Sequence, residues 1–375
     1  MPTPNPTVSF IVPCYKLAHL LPECVNSILG QTYGDLEVLI MDDCSPDNTA
    51  EVARSFKDPR VKHLRNDPNL GALPNYNKGI TLSRGKYVWL ISADDYLRRP
   101  YVLKRYVELM EANPRVGYTF CPCVGVLNGK ENGNLDWSAY GSRDQIVNGR
   151  QLLQKLLDYN LVLAPAAMAR REYYEKFSLF PVNVVWAGQP IDLIWGGDWY
   201  LWCVFALHGD VGYFAEPMVS YREHELSSTS IITKKNLDNC FLAEIGVLWM
   251  IKQKAEEAGF QDVSEKCLRA IIIEYARHLT TKQYRSASST ITMEQFEDSL
   301  SRNTSDVKEQ EWIRVRVLAE MADQHQSRGD LASAMKLYRA ATDSNPWMID
   351  VQVKKILLSL GKPGDYLRRS LQKNR

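Results

Sequence analysis

The chain has 375 residues, too many for one average domain and well suited to two. Its apolar and charged fractions, 45% and 24%, are ordinary for a globular protein. A net charge of +1 argues against a nucleic-acid binder that works through a strong positive field.

Residues 8 to 121 alternate strand and helix signals. Val8 to Val12 reads as a buried strand, and Pro22 to Gly30 as a helix with proline at an early helical position. Leu36 to Met41 is a second strand, and Asp47-Asn48-Thr49 is expected to cap a helix running to Phe56. Val61 to Leu64 is a third strand. Residues 72 to 83 read as helical, with Pro74 tolerated only near the start. The Tyr87 strand, a helix from Pro100 to Asn113 and a strand from Val116 to Cys121 complete the series. Such a βαβ pattern with short connections predicts an α/β fold with a largely parallel sheet.

Residues 122 to 230 are rich in Trp, Gly and Asn. Here 128 to 145 reads as a surface loop, Gln151 to Tyr159 as a helix, and Asp198 to His208 as a Trp-rich helix after Gly196-Gly197. From about residue 236 the texture is helical: Leu237 to Ala258, Val263 to Thr280 and further helices over 311 to 360. Thr281 to Thr292 reads as a linker. Gly329, Ala334, Tyr338, Ala341 and Pro346 fall at the relative spacings of a tetratricopeptide unit.

The eight cysteines follow no metal-ligand spacing, so buried thiols in a reducing compartment are expected, Cys121 and Cys123 included. Met1 to Pro6 has neither a basic nor an apolar leader region, and no stretch approaches the ~20 apolar residues of a membrane span. A cytoplasmic protein is expected. The basic end Arg368 to Arg375 allows at most a peripheral contact with an anionic membrane face.

The chemistry concentrates where the Tyr87 strand ends in Asp94-Asp95. Charges just past the carboxyl end of a buried strand sit where open α/β sheets bind ligands. Adjacent carboxylates repel unless a cation or a donor-rich ligand lies between them, and hard oxygen ligands suit Mg²⁺ or Mn²⁺. An ordinary strand-to-helix turn is the competing reading of the pair alone.

Four blocks line up in order. They are Val8-Ser9-Phe10-Ile11-Val12-Pro13-Cys14-Tyr15-Lys16, then Glu37 to Thr49 with Asp42-Asp43, then Asn69-Leu70-Gly71 with Asn77-Lys78-Gly79-Ile80 and Arg84-Gly85-Lys86-Tyr87, and finally Asp94-Asp95. Together they resemble the family 2 glycosyltransferases, inverting, nucleotide-sugar-dependent enzymes of GT-A fold. The resemblance continues loosely to about residue 230 and does not cover the C-terminal third.

It implies a GT-A domain over 1–232 and an all-helical domain over 233–375. Pro13, Tyr15, Asp43, Asn77, Lys78, Asp94 and Arg222 would hold the donor, with Tyr15 stacking on the base and Asp43 accepting from it. Asp95 would bind Mn²⁺ or Mg²⁺ at the diphosphate, and His224, within Tyr221 to Ser230, would complete the metal shell or donate to the diphosphate. Asp198, in Gly196-Gly197-Asp198-Trp199, would be the catalytic base. The family often has Arg where this chain has Tyr76, which leaves Lys78, Arg84 and Arg65 as substitutes at the diphosphate. Trp137, Tyr140, Trp186 and Trp195 are candidates for stacking on an acceptor sugar. The implied reaction moves a sugar from a UDP-linked donor to a hydroxyl of a glycan, lipid-linked glycan or protein in bacterial surface polysaccharide assembly. A helical domain of this kind offers a surface for a protein partner or a homo-oligomer. The rivals are a sugar nucleotidyltransferase, which would need a Gly-rich phosphate loop that Pro13-Cys14-Tyr15-Lys16-Leu17 lacks, and a non-catalytic scaffold, which would have lost one of Asp43, Asp95 or Asp198.

Overall fold

A computed structural model describes residues 5–186, 188–225, 227, 230, 237–281 and 291–360. The expected linker at 282–290, the basic end beyond 360, and Leu226, Ser228 and Thr229 of the Tyr221 block lie outside these.

The chain opens with β1 (Val8–Cys14), α1 (Leu21–Leu29), β2 (Leu36–Asp42), α2 (Thr49–Ser55) and β3 (Val61–Arg65). Then come α3 (Ala72–Leu82), β4 (Tyr87–Leu90), β5 (Tyr96–Leu97), α4 (Val102–Ala112), β6 (Val116–Phe120), β7 (Cys123–Leu127) and β8 (Lys130–Asn134). The middle holds β9 (Gln145–Val147), α5 (Gly149–Leu156), β10 (Ala167–Arg170), α6 (Arg171–Lys176), and the ribbon of β11 (Asn183–Trp186) and β12 (Gln189–Asp192). After α7 (Gly197–His208), β13 (Asp210–Tyr213) and β14 (Val219–Glu223), the further described elements are the helices α8 (Leu237–Glu257), α9 (Gln261–Thr281), α10 (Met293–Asn303), α11 (Val307–Ser327), α12 (Leu331–Ser344) and α13 (Ile349–Ser359).

The main sheet has the order β3-β2-β1-β4-β10-β6-β13-β9. Neighbours β3, β2, β1 and β4 are parallel, whereas β10 runs against both β4 and β6, and β9 against β13. The chain moves outward from β1 to β3 and returns through α3 to β4, so the order reverses between β1 and β4. That switch point opens a crevice at the carboxyl ends of the strands. A second sheet, β5-β14-β7-β8, holds β14 antiparallel to β5 and parallel to β7.

The strands form because β1, β2 and β4 are predominantly apolar and buried along their whole length, as parallel strands covered on both faces require, with the polar exceptions Ser9, Glu37 and Asp42 hydrogen-bonded. On one face Phe10, Trp89, Tyr106 and Phe214 form a column with ring centroids 5.4, 4.5 and 5.1 Å apart. Such pairs contribute about 0.5–1.5 kcal/mol each beyond burial. On the other face α3 lies so close that a Cβ at Gly79 would stand 2.5 Å from Ile11 Cγ2, so only glycine fits there.

Two local expectations are corrected. Residues 128 to 145 are not a plain loop: Asn128-Gly129, both with positive φ (51° and 74°), close a β7–β8 hairpin. This is the dipeptide that a type I′ turn demands. At α2, Asn48 caps without a side-chain bond, while Asp47 Oδ1 accepts from Thr49 N–H at 3.2 Å and from its hydroxyl at 2.6 Å. None of the eight cysteines forms a disulfide, and all but the half-buried Cys44 are buried.

The chain divides into two compact units. The first comprises Met1–Val184, Asp192–Asn236 and Gln253–Val263; the second comprises Val185–Ile191, Leu237–Lys252 and Ser264–Arg375. Residues 253–263 join the first unit through Arg150, which pairs with Asp262 at 2.5 Å and lies 4.7 Å from the Phe260 ring. In the second unit, Ala334, Tyr338 and Ala341 of α12 are fully buried against Val315, Ala319 and Ala322 of α11. Gly329, at φ 86°, makes the turn between these helices.

Candidate active site

The crevice is built from the residues that follow β1, β2 and β4. Past β1, Pro13 C=O accepts from Ala93 N–H at 3.1 Å, which draws the loop carrying Asp94 and Asp95 alongside. Tyr15 stands 43% exposed, a free aromatic face at the sheet edge. Lys16, at φ 61°, places its Nζ 4.9 Å from that ring.

Past β2, the two carboxylates divide their work. Asp42 is fully buried; Arg65 lies 2.7 Å and His63 3.2 Å from it, and Ser45 N–H donates to it at 2.8 Å. Burial alone would raise its pKa, but these donors outweigh it and hold the group below the usual range. Asp43 Oδ1 accepts from Asn66 Nδ2 and Leu70 N–H, both at 2.8 Å, and Oδ2 accepts from Gly71 N–H at 2.9 Å. It therefore shapes the Asn69-Leu70-Gly71 turn. Lys78 Nζ donates to Asn66 Oδ1 at 2.7 Å and joins the same network.

Past β4 come Asp94 and Asp95. Pairing of Ser220 with Tyr96 carries β14 beside them. Arg222 N–H then reaches Asp95 Oδ1 at 2.9 Å, and His224 Nε2 lies 2.9 Å from Asp94 Oδ2. Asp95 is 3% exposed; burial first, and then the Asp94 charge, pushes its pKa well above the usual range. Asp94 Oδ1 is buried without a hydrogen-bond partner among the described residues. The Arg222 side chain turns away to Glu23 at 2.6 Å and lies 5.6 Å from the Tyr96 ring.

A divalent cation fits this donor set: two adjacent carboxylates, one strongly desolvated and one with an orphaned oxygen. Among the described residues no three His, Cys, Asp or Glu side chains already form a metal cage. Such a cation would need phosphate or water oxygens to complete its shell, as Mg²⁺ commonly does.

Asp198 arrives on α7, which is buried from Trp199 to Leu207 and anchored by Trp199 Nε1 donating to Leu156 C=O at 2.6 Å. Gly196 begins it in the left-handed region, at φ 96°. Burial pushes the Asp198 pKa up to about 6, against hydrogen bonds from Trp199 N–H at 2.7 Å and Asn160 Nδ2 at 3.3 Å. A carboxylate poised there is matched to proton abstraction near neutral pH.

Three other candidates are occupied elsewhere. Asn77 gives both its amide atoms to Phe180, donating to its C=O at 2.8 Å and accepting from its N–H at 2.9 Å. Arg84 binds Glu37 at 3.0 Å, at the amino ends of the strands and away from the crevice. Trp186 is buried with its ring 6.1 Å from Tyr275, so it packs rather than presents a face. Tyr140 stacks edge-on to Tyr213, whereas Trp137 is exposed and Trp195 half-buried. Sequence reasoning missed Asn160, Glu23 and Phe180. Only the odd Tyr76 hinted at the last of these, because nothing local marks a partner so distant in sequence.

The reversed sheet order with acidic groups at the carboxyl edge, the small second sheet and the Asp-bearing helix are the architecture of a GT-A glycosyltransferase. Residues 9–177 match the model of Glycosyl transferase family 2, and over that segment the chain is similar to this family. Glycosyltransferase GlyG of Streptococcus pneumoniae is 33% identical over 111 residues, which are 29% of this chain and 37% of that protein. An uncharacterized glycosyltransferase of Haemophilus influenzae is 25% identical over 286 residues, 72% of this chain and 85% of that one. Among solved structures, S. aureus TarS 1–349 in complex with UDP-GlcNAc superposes with a TM-score of 0.59 and 16% identity, covering 90% of this chain and 91% of that one. No described helix is long and apolar enough to cross a membrane.

Proposed function

We propose that this chain is a metal-dependent, inverting glycosyltransferase that moves a sugar from a UDP-linked donor to a hydroxyl of a glycan, lipid-linked glycan or protein. The observation that carries the reading is the acidic pair Asp94-Asp95 just past β4, met by Arg222 N–H and His224 Nε2 at 2.9 Å each, together with Asp198 at the start of α7, a carboxyl whose pKa burial pushes up to about 6. A base and a phosphate-side acidic pair on one crevice are what direct displacement at an anomeric carbon needs. The complexes of S. aureus TarS with UDP-GlcNAc and with UDP favour a UDP donor.

In this reading the exposed ring of Tyr15 stacks on the base, and Asp43 shapes the turn beside it and accepts from it. Pro13, Asn77 and Lys78 set the walls, Asp94 faces the ribose, and Arg222, its side chain paired with Glu23, supports the diphosphate side by holding Asp95 through its backbone N–H. Mn²⁺ or Mg²⁺ would be held by Asp95 with His224 alongside, and would supply positive charge to the departing diphosphate. Asp198 takes the proton of the acceptor hydroxyl as its oxygen bonds to the anomeric carbon and the bond to the diphosphate oxygen breaks. Residues 1–232 carry the transfer, and the helices of 233–375 serve self-association or hold a partner or acceptor. The setting is the cytoplasmic face of bacterial surface polysaccharide assembly.

A thermal-shift screen of nucleoside diphosphates and their sugars, with and without Mn²⁺, tests this, because a ligand selective for the folded state raises Tm. UDP and UDP-sugars should raise Tm more with Mn²⁺ than without. No shift with any nucleotide would overturn the proposal.

A further inference from the structure

The start of α7 is tied to α3 through one amide side chain. Asn77 donates from Nδ2 to Phe180 C=O at 2.8 Å and accepts from Phe180 N–H on Oδ1 at 2.9 Å. Such a two-point grip fixes both the position and the orientation of a backbone segment that lies outside any helix or strand. Two routes carry this to α7. Phe180 Cδ1 lies 3.6 Å from the point where a Cβ would stand on Gly197, and Leu73 Cδ2, one turn before Asn77 on α3, lies 3.5 Å from the same point. Along the backbone, Val182 C=O accepts from Leu193 N–H at 3.0 Å, and Leu193 C=O accepts from Gly197 N–H at 2.8 Å. Gly197 opens α7 and Asp198 is the next residue. Gly196, before them, has no side chain with which to cap the helix, so the first turn takes its place from these outside contacts.

We propose that Asn77 is the positioning residue of the base: its amide docks the first turn of α7, and with it Asp198, onto α3. The inference rests on the reading of Asp198 as the base of a UDP-sugar site. A displacement of about 1 Å at a reacting group can cost on the order of 10²-fold in rate, so the support of this turn matters to the chemistry. The other end of α3 is secured separately, because Asp43 holds the N–H groups of Leu70 and Gly71 where the helix begins. Loss of the Asn77 amide should therefore loosen the base and spare the nucleoside side.

Hydrogen exchange and a double-mutant cycle on the full chain test this. In Asn77→Ser, amide exchange should quicken at Phe180, Leu193 and Gly197, while Leu70 and Gly71 stay as protected as in the native chain. For the cycle, Asp198→Asn is introduced into the native chain and into Asn77→Ser, and Tm is measured at pH 7.5. Removing the buried charge should raise Tm in the native chain, and the rise should shrink by about half or more in Asn77→Ser, where the loosened carboxyl reaches water. Asn77→Asp keeps the acceptor for Phe180 N–H and should fall between the two. Calorimetric titration with UDP and Mn²⁺ should give the native affinity in Asn77→Ser. If that variant does not fold, Phe180→Leu, which keeps the backbone grip and removes the ring beside Gly197, takes its place in every arm. Additive effects at 77 and 198, or unchanged exchange at the start of α7, overturn the proposal and leave the UDP-sugar reading standing. Lost UDP affinity in Asn77→Ser also overturns it and makes Asn77 a donor contact. Failure of the native chain to bind UDP overturns that reading and the inference with it.

Discussion

His224 Nε2 lies 2.9 Å from Asp94 Oδ2, which fastens the turn after β14 to the acidic loop after β4. The contact exists because β14 pairs with β5 immediately beyond Asp95. If His224 serves a cation at the diphosphate, His224→Ala should weaken UDP–Mn²⁺ binding more than metal-free UDP binding. Equal loss in both titrations would assign it to fastening the two loops.

Asp95→Asn should cost function without costing the fold. Asparagine Oδ1 can still accept from Arg222 N–H, and the change removes one of two repelling, buried charges. Donor binding should lose its Mn²⁺ dependence and turnover should collapse, with Tm equal to or above that of the native chain. Metal-dependent transfer at a near-native rate in this variant would place the phosphate-side centre elsewhere.

Asp198→Asn sets stability against chemistry. With the folded pKa raised to about 6 from the ordinary 3.8, the folded state binds more protons than the unfolded one between those values. Stability contributed by this group is therefore present at low pH and lost as pH rises through that window. At pH 7.5 the asparagine variant should be more stable, by on the order of 1–3 kcal/mol, because it buries no charge. Transfer should fall roughly 10²–10⁴-fold with UDP affinity unchanged, and the native rate should decline below about pH 6. A Tm below the native value, or lost UDP affinity, would contradict a base held at an energetic cost.

Glu37 is a stability residue at the opposite edge of the sheet. It is 3% exposed, accepts from Ser9 Oγ at 2.8 Å and Arg84 N–H at 3.0 Å, and pairs with Arg84 and Lys62, each at 3.0 Å. Burial alone would raise its pKa, but these donors outweigh it, so the folded value lies below the ordinary 4.5. Its contribution is complete above that value and drains away as pH falls through the folded pKa. Glu37→Ala should cost about 1–3 kcal/mol in chemical denaturation, since it leaves the buried Ser9 hydroxyl and the Arg84 N–H without this acceptor. UDP binding should persist, and Glu37→Gln should flatten the loss of stability in acid.

The local pattern of the fold was legible because it is written at short range. Short, predominantly apolar runs define β1, β2 and β4, glycines open α7, and acidic residues follow β4, all within windows of about ten residues. The same patterns singled out Asp94, Asp95 and Asp198 as candidates. Short range also held a signal that was passed over, the Asn128-Gly129 turn. What tertiary structure decided is which distant groups meet. The insertion of β10 between β4 and β6, the placement of β14 beside β5, and Asn77 gripping Phe180 across 103 residues are set by sheet order and helix packing. Charge partners belong to the same class. Arg84 reads in the sequence like any other cation near a phosphate site, yet its reach ends at Glu37 because it precedes β4 rather than follows it. Periodicity encodes each residue's conformation and face, whereas pairing depends on contacts between segments far apart in the chain, and these are fixed only when the core closes.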